Sequence, residues 1–241
     1  LGQESISVVL FPWENLDRVQ QMFSDLNRTA RTTSKSLNIL YNHRDLMSRI
    51  ALTVMERIPV LKNFVDKDRV SLPLRSPKLF TLGAIYDGTD ALLEAVNEKD
   101  YEQKLAQAQE FWEAVAANMP LWQQVEQGDL KPAELRQEYI CTHAVALWGL
   151  GSMGRTLISS HPDDWAARVA ALKAIDWRRT NNEWQGVAMS GSDVVNRRQS
   201  RMDTASFLKR KLGLGLTPGE ERSLKGAQAV MDELKQFLTP A

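Results

Sequence analysis

Between Gln20 and Asp45 the chain reads QQMFSDLNRTARTTSKSLNILYNHRD, and it gathers Asp25, Asn27, Arg28, Arg31, Thr32, Thr33, Ser34, Lys35, His43, Arg44 and Asp45 within that span. Guanidinium, ammonium and hydroxyl groups at this density can converge on an anion such as a phosphate. Positioning them requires anchors on both sides. Met22, Phe23 and Leu26 recur at helical spacing and predict a helix ending near Asn27–Arg28. Leu37, Ile39, Leu40 and Leu46 resume an apolar pattern, while Ala30 to Ser36 carries none and reads as the loop between. In His43-Arg44-Asp45, Arg44 would be the anion donor and Asp45 would orient His43. The plainer alternative for the same letters is a solvated basic loop, with Asp45 in the first turn of the following helix.

Three further motifs need their context. Gly149-Leu150-Gly151-Ser152-Met153-Gly154 fits the GxGxxG dinucleotide fingerprint by letter. That chemistry needs a strand before it, a βαβ unit, and an acidic residue about 20 positions on. Tyr139–Trp148 reads as helix and no second strand follows, so packing through small residues is the favoured reading. His43-Arg44-Asp45-Leu46 opens like a kinase catalytic loop, but Ile50 stands where the metal-binding Asn should be and no DFG follows. A kinase is excluded. Cys141 and His143 suggest a thiol and its base, yet on a helix two positions are about 200° apart. A small buried hydrophobe is the better account of Cys141.

A second basic set lies toward the C-terminus. Arg178-Arg179 follows Trp177, and Arg197, Arg198 and Arg201 precede an expected helix that ends in Lys209-Arg210-Lys211. Asn181, Asn182, Gln185, Asn196 and Gln199 lie between and could meet phosphates or base edges. Trp184 would stack or anchor its loop, and Trp177 reads as core.

Composition bounds the rest. The 241 residues are 43% hydrophobic and 25% charged, with a formal net charge of zero. The zero is an average: six basic and two acidic residues lie from Arg18 to Arg49, twelve acidic and four basic from Asp87 to Glu138, and ten basic and four acidic from Arg168 to Lys211. Two basic regions flanking an acidic middle would suit a polyanion-binding face. No apolar run approaches the roughly 20 residues of a membrane span. Cys141 is the only cysteine and the three histidines are far apart, so no disulfide, metal or cofactor is called for. A reducing cytoplasm is the expected compartment.

The predicted elements give an α+β fold that is predominantly helical. Ile6–Phe11 reads as a strand, Asn15–Asn27 and His43–Arg57 as helices, with Pro59 as a stop. Val60–Leu74 could hold two short strands around a turn at Asp66–Asp68. Helices are expected at Leu79–Tyr86, Tyr101–Met119, from Pro132 through Ala144, and at Trp165–Ile175, Thr204–Leu212 and Pro218–Leu238. Asn181–Asn196 reads as an excursion.

The 20–45 stretch, continuing through RVSLPLRSPKLFTLGAIYD, resembles the DndB family of DNA sulfur-modification proteins, which carry a DGQHR domain. NNEWQGVAMSGSDVVNRRQSRMDTASFLKRKLGLGLTPGEE has that family's C-terminal character. The DGQHR signature itself is absent and the chain opens on Leu1, so the resemblance is to the part downstream of it. It implies that residues 1–74 are the end of a DGQHR-type, ParB-like α+β domain and that 75–241 form a helical domain with a basic C-terminal region. It also implies a repressor of its own modification gene cluster that binds double-stranded promoter DNA, acts without crossing a membrane, and is compatible with a homo-oligomer. Asn27, Arg28, Arg31, Lys35, Arg44, Arg178, Arg179, Arg197, Arg198, Arg201, Lys209, Arg210 and Lys211 would then meet the DNA. Two rivals stand beside it. One is a ParB-like enzyme that hydrolyses nucleotides or cuts DNA, with Asp25, His43, Arg44 and Asp45 as catalytic candidates. The other is a scaffold whose acidic middle docks other modification proteins.

Overall fold

The computed structural model describes residues 12, 15–30 and 34–226, of which 26–30 as backbone. The expected strand at Ile6–Phe11 lies outside them. Helix α1 (Leu16–Ala30) runs past the expected end near Asn27–Arg28. Helix α2 (Lys35–Tyr41) begins inside the stretch expected to be loop, because Ser34 caps it by accepting the Leu37 N–H at 3.1 Å. The Ser34 hydroxyl also donates to the Asp68 carbonyl. That of Ser36 donates to Arg69 O at 2.9 Å and accepts from Gly83 N at 3.2 Å. These hydroxyls fasten α2 to its neighbours instead of facing an anion.

Helix α3 (Leu46–Arg57) is N-capped by Asp45. Pro59 ends it but also opens α4 (Pro59–Phe64), since the first helical turn needs no N–H there. The two strands expected over Val60–Leu74 are therefore reduced to one, β1 (Val65–Asp66). It pairs in parallel with β2 (Phe80–Thr81), Val65 opposite Phe80. The turn at Asp66–Asp68 is present, with Asp66 Oδ1 accepting from the Asp68 and Arg69 amides at 3.0 and 2.8 Å.

Thr81 caps α5 (Leu82–Leu92), and α6 (Tyr101–Ala117), α7 (Pro120–Gln127) and α8 (Pro132–Glu138) follow, the last two opened by proline. The helix expected to run from Pro132 through Ala144 breaks at Tyr139. Ile140 N–H leaves the helical pattern to bond Trp177 O at 2.9 Å, and Arg179 N–H bonds Glu138 O at 2.8 Å. The chain turns through Cys141 and restarts as α9 (Ala144–Ser160). Helix α10 (Trp165–Arg168) passes into a 3₁₀ turn, Val169–Ala174. The Asn181–Asn196 excursion is a 3₁₀ turn and a hairpin of β3 (Met189–Ser190) with β4 (Asp193–Val194). Helix α11 (Arg198–Lys211) starts well before the expected Thr204, and residues 218–226 are helical.

Buried residues from Ile39 to Leu224 form one continuous core, and the α5–α9–α11 stack runs through it. The glycine motif explains that stack. It lies wholly within α9, with no strand before it, so the dinucleotide reading has no structural basis. A Cβ on Gly149 would stand 2.7 Å from Thr204 Cγ2 of α11. One on Gly151 would stand 1.9 Å from Gly88 O of α5, and one on Gly154 2.3 Å from the Phe111 ring of α6. Three glycines thus face three partners, and each lets a neighbour approach α9 at backbone distance. Nearby, Thr89 Oγ1 accepts the Trp112 Nε1–H at 3.1 Å and donates to Ile85 O at 2.8 Å, all within the core. Thr89→Val keeps the shape but orphans a buried indole donor. It should cost about 1–3 kcal/mol, measured as a lower urea midpoint at unchanged slope.

Candidate functional site

Helical spacing builds one groove. Trp148, Ser152 and Arg155 lie four and three residues apart on α9, so they share a face; Arg198, Arg201, Met202, Ala205 and Ser206 do the same on α11. The Gly149–Thr204 approach brings the two helices together, and these faces line a groove of about 520 Å³, with Asn196 and Glu220 at its edges. Its walls are of two kinds. Trp148, Met202 and Ala205 are apolar, and Met202 is 45% exposed. Arg155, Arg198 and Arg201 are cationic. Arg155 and Arg198, together with the adjacent Arg197, are exposed and form no ion pair among the described residues.

Asp87 of α5 joins the two basic regions. Its Oδ1 is ion-paired with Lys35 of α2, and its Oδ2 accepts from Arg201 Nη2 at 3.2 Å. Arg201 Nε also donates to Asn196 Oδ1 at 2.8 Å, which fixes the guanidinium between the helix start and α5. Lys35 Nζ lies 4.9 Å from the Tyr86 ring centre. Burial, then the carboxylates of Asp45 and Asp90, pushes the Tyr86 phenol up to about 12, so it stays protonated and reaches toward Asp45 Oδ2 at 3.4 Å.

The other C-terminal cations are mostly engaged within the protein. Arg178 makes a two-pronged contact with Asp176 at 2.9 Å on each prong, which holds that carboxyl below its ordinary range. Arg179 donates to Gln137 O at 3.0 Å and Ser192 O at 2.6 Å. Lys211 grips both oxygens of Glu183 at 2.6 and 2.9 Å. Lys209 meets Glu220 at 2.8 Å; burial is the largest single influence on that carboxyl and pushes it up, but Lys209 and the Thr217 amide and hydroxyl together outweigh it, and Glu220 is held low. Arg210 lies over the Phe207 face, 5.6 Å from its centre. Trp177 is core, as expected, and stacks on Trp184 at 5.3 Å. Trp184 anchors its loop by donating to Asp176 O at 2.8 Å.

In the first basic region, Arg31 lies outside the described residues, and Asn27 and Arg28 occupy the end of α1. Asp25, His43 and Arg44 line one open groove of about 430 Å³ with Asp17 and Arg18. Asp45 does not join them. Its Oδ2 accepts from Ser48 N at 2.9 Å and Ser48 Oγ at 2.6 Å, as the cap of α3, so it does not orient His43. Gln20 does that instead, with Oε1 at 2.8 Å from His43 Nε2. Cys141 and His143 sit in a turn, not on the expected helix. Burial pushes the Cys141 thiol up to about 12, which makes it a poor nucleophile.

Nothing in the sequence alone marks Arg155, Trp148 or Asp87 as site residues. The spacing Trp148–Ser152–Arg155 is a detectable face, but it gains meaning only when α11 is laid beside it. Among the described residues no three His, Cys, Asp or Glu side chains are grouped to hold a metal, and no helix is long and apolar enough to cross a membrane.

A helical protein with a mixed cationic and apolar groove is the class that this geometry defines. The model of the DndB family, described as DNA-sulfur modification-associated, matches residues 1–215. The chain belongs to the DndB family, and its setting is DNA sulfur modification. No curated protein and no solved structure gives a significant match.

Proposed function

We propose that this protein is a DNA-binding regulator, a repressor of the gene cluster for DNA phosphorothioate modification, acting on the duplex promoter region of that cluster. Family membership supplies the setting. The observation that supports DNA contact is the meeting of both basic regions at Asp87, beside Arg155, Arg197 and Arg198, which form no contact ion pair among the described residues. Phosphates would be neutralised there, and Asn196 and Gln199 stand next to them for register or readout. Lys35, Arg44 and Arg210 extend the cationic surface in this proposal; Arg178, Arg179, Lys209 and Lys211 serve chiefly to hold the scaffold.

The test is a gel-shift titration with promoter and scrambled duplexes at two salt concentrations. Arg197→Glu with Arg198→Glu should weaken promoter binding by about 10–100-fold and shrink the log–log salt slope by about 0.9 per lost phosphate contact. Unchanged affinity and slope in the double variant would remove α11 from the interface. The shared groove of Asp25, His43 and Arg44 supports a second reading, a nucleotide- or phosphodiester-hydrolysing site. Hydrolysis lost in Asp25→Ala and Arg44→Ala would favour it, and inactivity across nucleotides and divalent metals would end it.

A further inference from the structure

We infer that the groove between α9 and α11 is a binding site for a nucleoside phosphate, taking the planar base against Trp148 and Met202 and the phosphate at the arginine rim. This goes beyond the duplex reading, because neutralising a phosphate backbone needs no aromatic or apolar wall. The groove has one. Trp148 is half-buried, Met202 is 45% exposed and Ala205 completes an apolar strip on the same α11 face as Arg198. A flat heteroaromatic ring is the ligand class that gains from a tryptophan face and a flexible thioether together. Stacking of this kind tolerates any base.

The rest of the lining fits the other half of such a ligand. Arg155 stands seven residues from Trp148 along α9, two helical turns away on the same face, and Arg198 stands four residues from Met202. Neither arginine is in contact with a carboxylate among the described residues; Arg155 acts on Asp90 only at longer range. Arg201 differs: Asn196 and Asp87 hold its guanidinium in place, so it is a fixed wall of the site. Ser152 and the Asn196 amide offer neutral donors for sugar or base edges, and the Ser206 hydroxyl, which donates to Met202 O at 3.0 Å, offers an acceptor. A volume of about 520 Å³ accommodates one mononucleotide and falls within the usual span of small-molecule sites. The shared chemistry has two sources: a free nucleotide, or a single unstacked nucleotide of a DNA strand.

Isothermal titration of the full chain with deoxyadenosine 5′-monophosphate, deoxyadenosine and inorganic phosphate tests the site. The nucleotide should bind at least about tenfold more tightly than either half alone. Trp148→Leu and Arg155→Gln should each lower that affinity by about tenfold, and Trp148→Phe should stay within about threefold. Arg155 is exposed, so its variant reports even if Trp148→Leu fails to fold. Competition of the nucleotide by a short single-stranded oligonucleotide supports the site and assigns it to DNA; retained nucleotide binding without competition supports it and assigns it to a free nucleotide. Equal binding of nucleotide and phosphate, or nucleotide binding indifferent to Arg155→Gln or to a folded Trp148→Leu, would overturn the inference. Promoter binding by gel shift is read in parallel: if it persists when nucleotide binding is absent, only this inference falls, and the reverse outcome removes only the repressor reading.

Discussion

Gly151→Ala should lower the melting temperature by roughly 6–12 °C, the size expected for about 3 kcal/mol in a chain of this length. The added methyl would lie 1.9 Å from the carbonyl oxygen of Gly88 and 3.2 Å from the Leu92 amide nitrogen, both of them backbone atoms of α5. Backbone in the middle of a packed helix cannot turn aside as a side chain can, so α5 and α9 must separate along their length. The complementary Gly88 is constrained too, though less severely, with Leu147 O at 2.8 Å and the Trp112 ring at 2.9 Å from its would-be Cβ. Gly149→Ala meets only the Thr204 side chain at its closest point and should cost less. Gly215→Ala meets nothing within 4 Å and serves as the control, expected within about 0.5 kcal/mol of the parent. A Gly151→Ala protein that melts like the control would show that the α5–α9 contact is not as close as described.

His143 sets the second large effect, a loss of stability in mild acid. Burial pushes its imidazole down to about 4; the charges of Arg179 and Arg136 add to that, and the hydrogen bond to Arg136 O at 3.0 Å opposes it. The ring N–H can donate to that carbonyl in either protonation state, so it is burial and the two guanidinium charges that favour the neutral form. In the unfolded chain the same group titrates near its ordinary 6.5. Between about 6.5 and about 4 the unfolded state therefore binds a proton that the folded state refuses, and stability falls with pH across that window. The full loss attributable to this one group is about 3 kcal/mol. Denaturant titrations of the parent and His143→Gln at several pH values isolate it, since the glutamine keeps a donor for the carbonyl but does not ionise. The stability difference between the two proteins should shrink or reverse as pH falls through the window. A constant difference would mean that His143 titrates normally.

Much of the helical framework was legible because burial imposes a period. Leu105, Ala108, Phe111, Trp112 and Val115 define α6 by spacing, and all are buried. Pro59 is ambiguous in sequence for a physical reason: a residue without an N–H suits the start of the next helix as well as the end of the last. The break at Tyr139 was not legible, since it depends on Trp177 O and Arg179 N–H arriving from distant sequence. The candidate site divides in the same way. Charge counting located the basic regions but could not see that Arg178, Lys209 and Lys211 each have a carboxylate waiting, two of them far along the chain or in another element. Trp148, Arg155 and Arg198 form one lining only because Gly149 admits Thr204, a contact between residues 55 positions apart.

Asp87 already does to Lys35 and Arg201 what a phosphodiester would do, offering one oxygen to each. A polyanion arriving there finds no pair of bare cations with loosely held counterions, but a tethered carboxylate at high effective concentration that cannot diffuse away. Displacing it returns little mixing entropy, because the displaced anion stays on the protein. The two cations therefore contribute position more than salt-sensitive affinity, and a titration against salt would count Arg155, Arg197 and Arg198 in preference to them. Under the DNA-binding proposal Asp87 would therefore act as an internal competitor that sets a threshold. Weak or sparse anions would be turned away, and only a ligand that engages the neighbouring arginines at the same time would take its place.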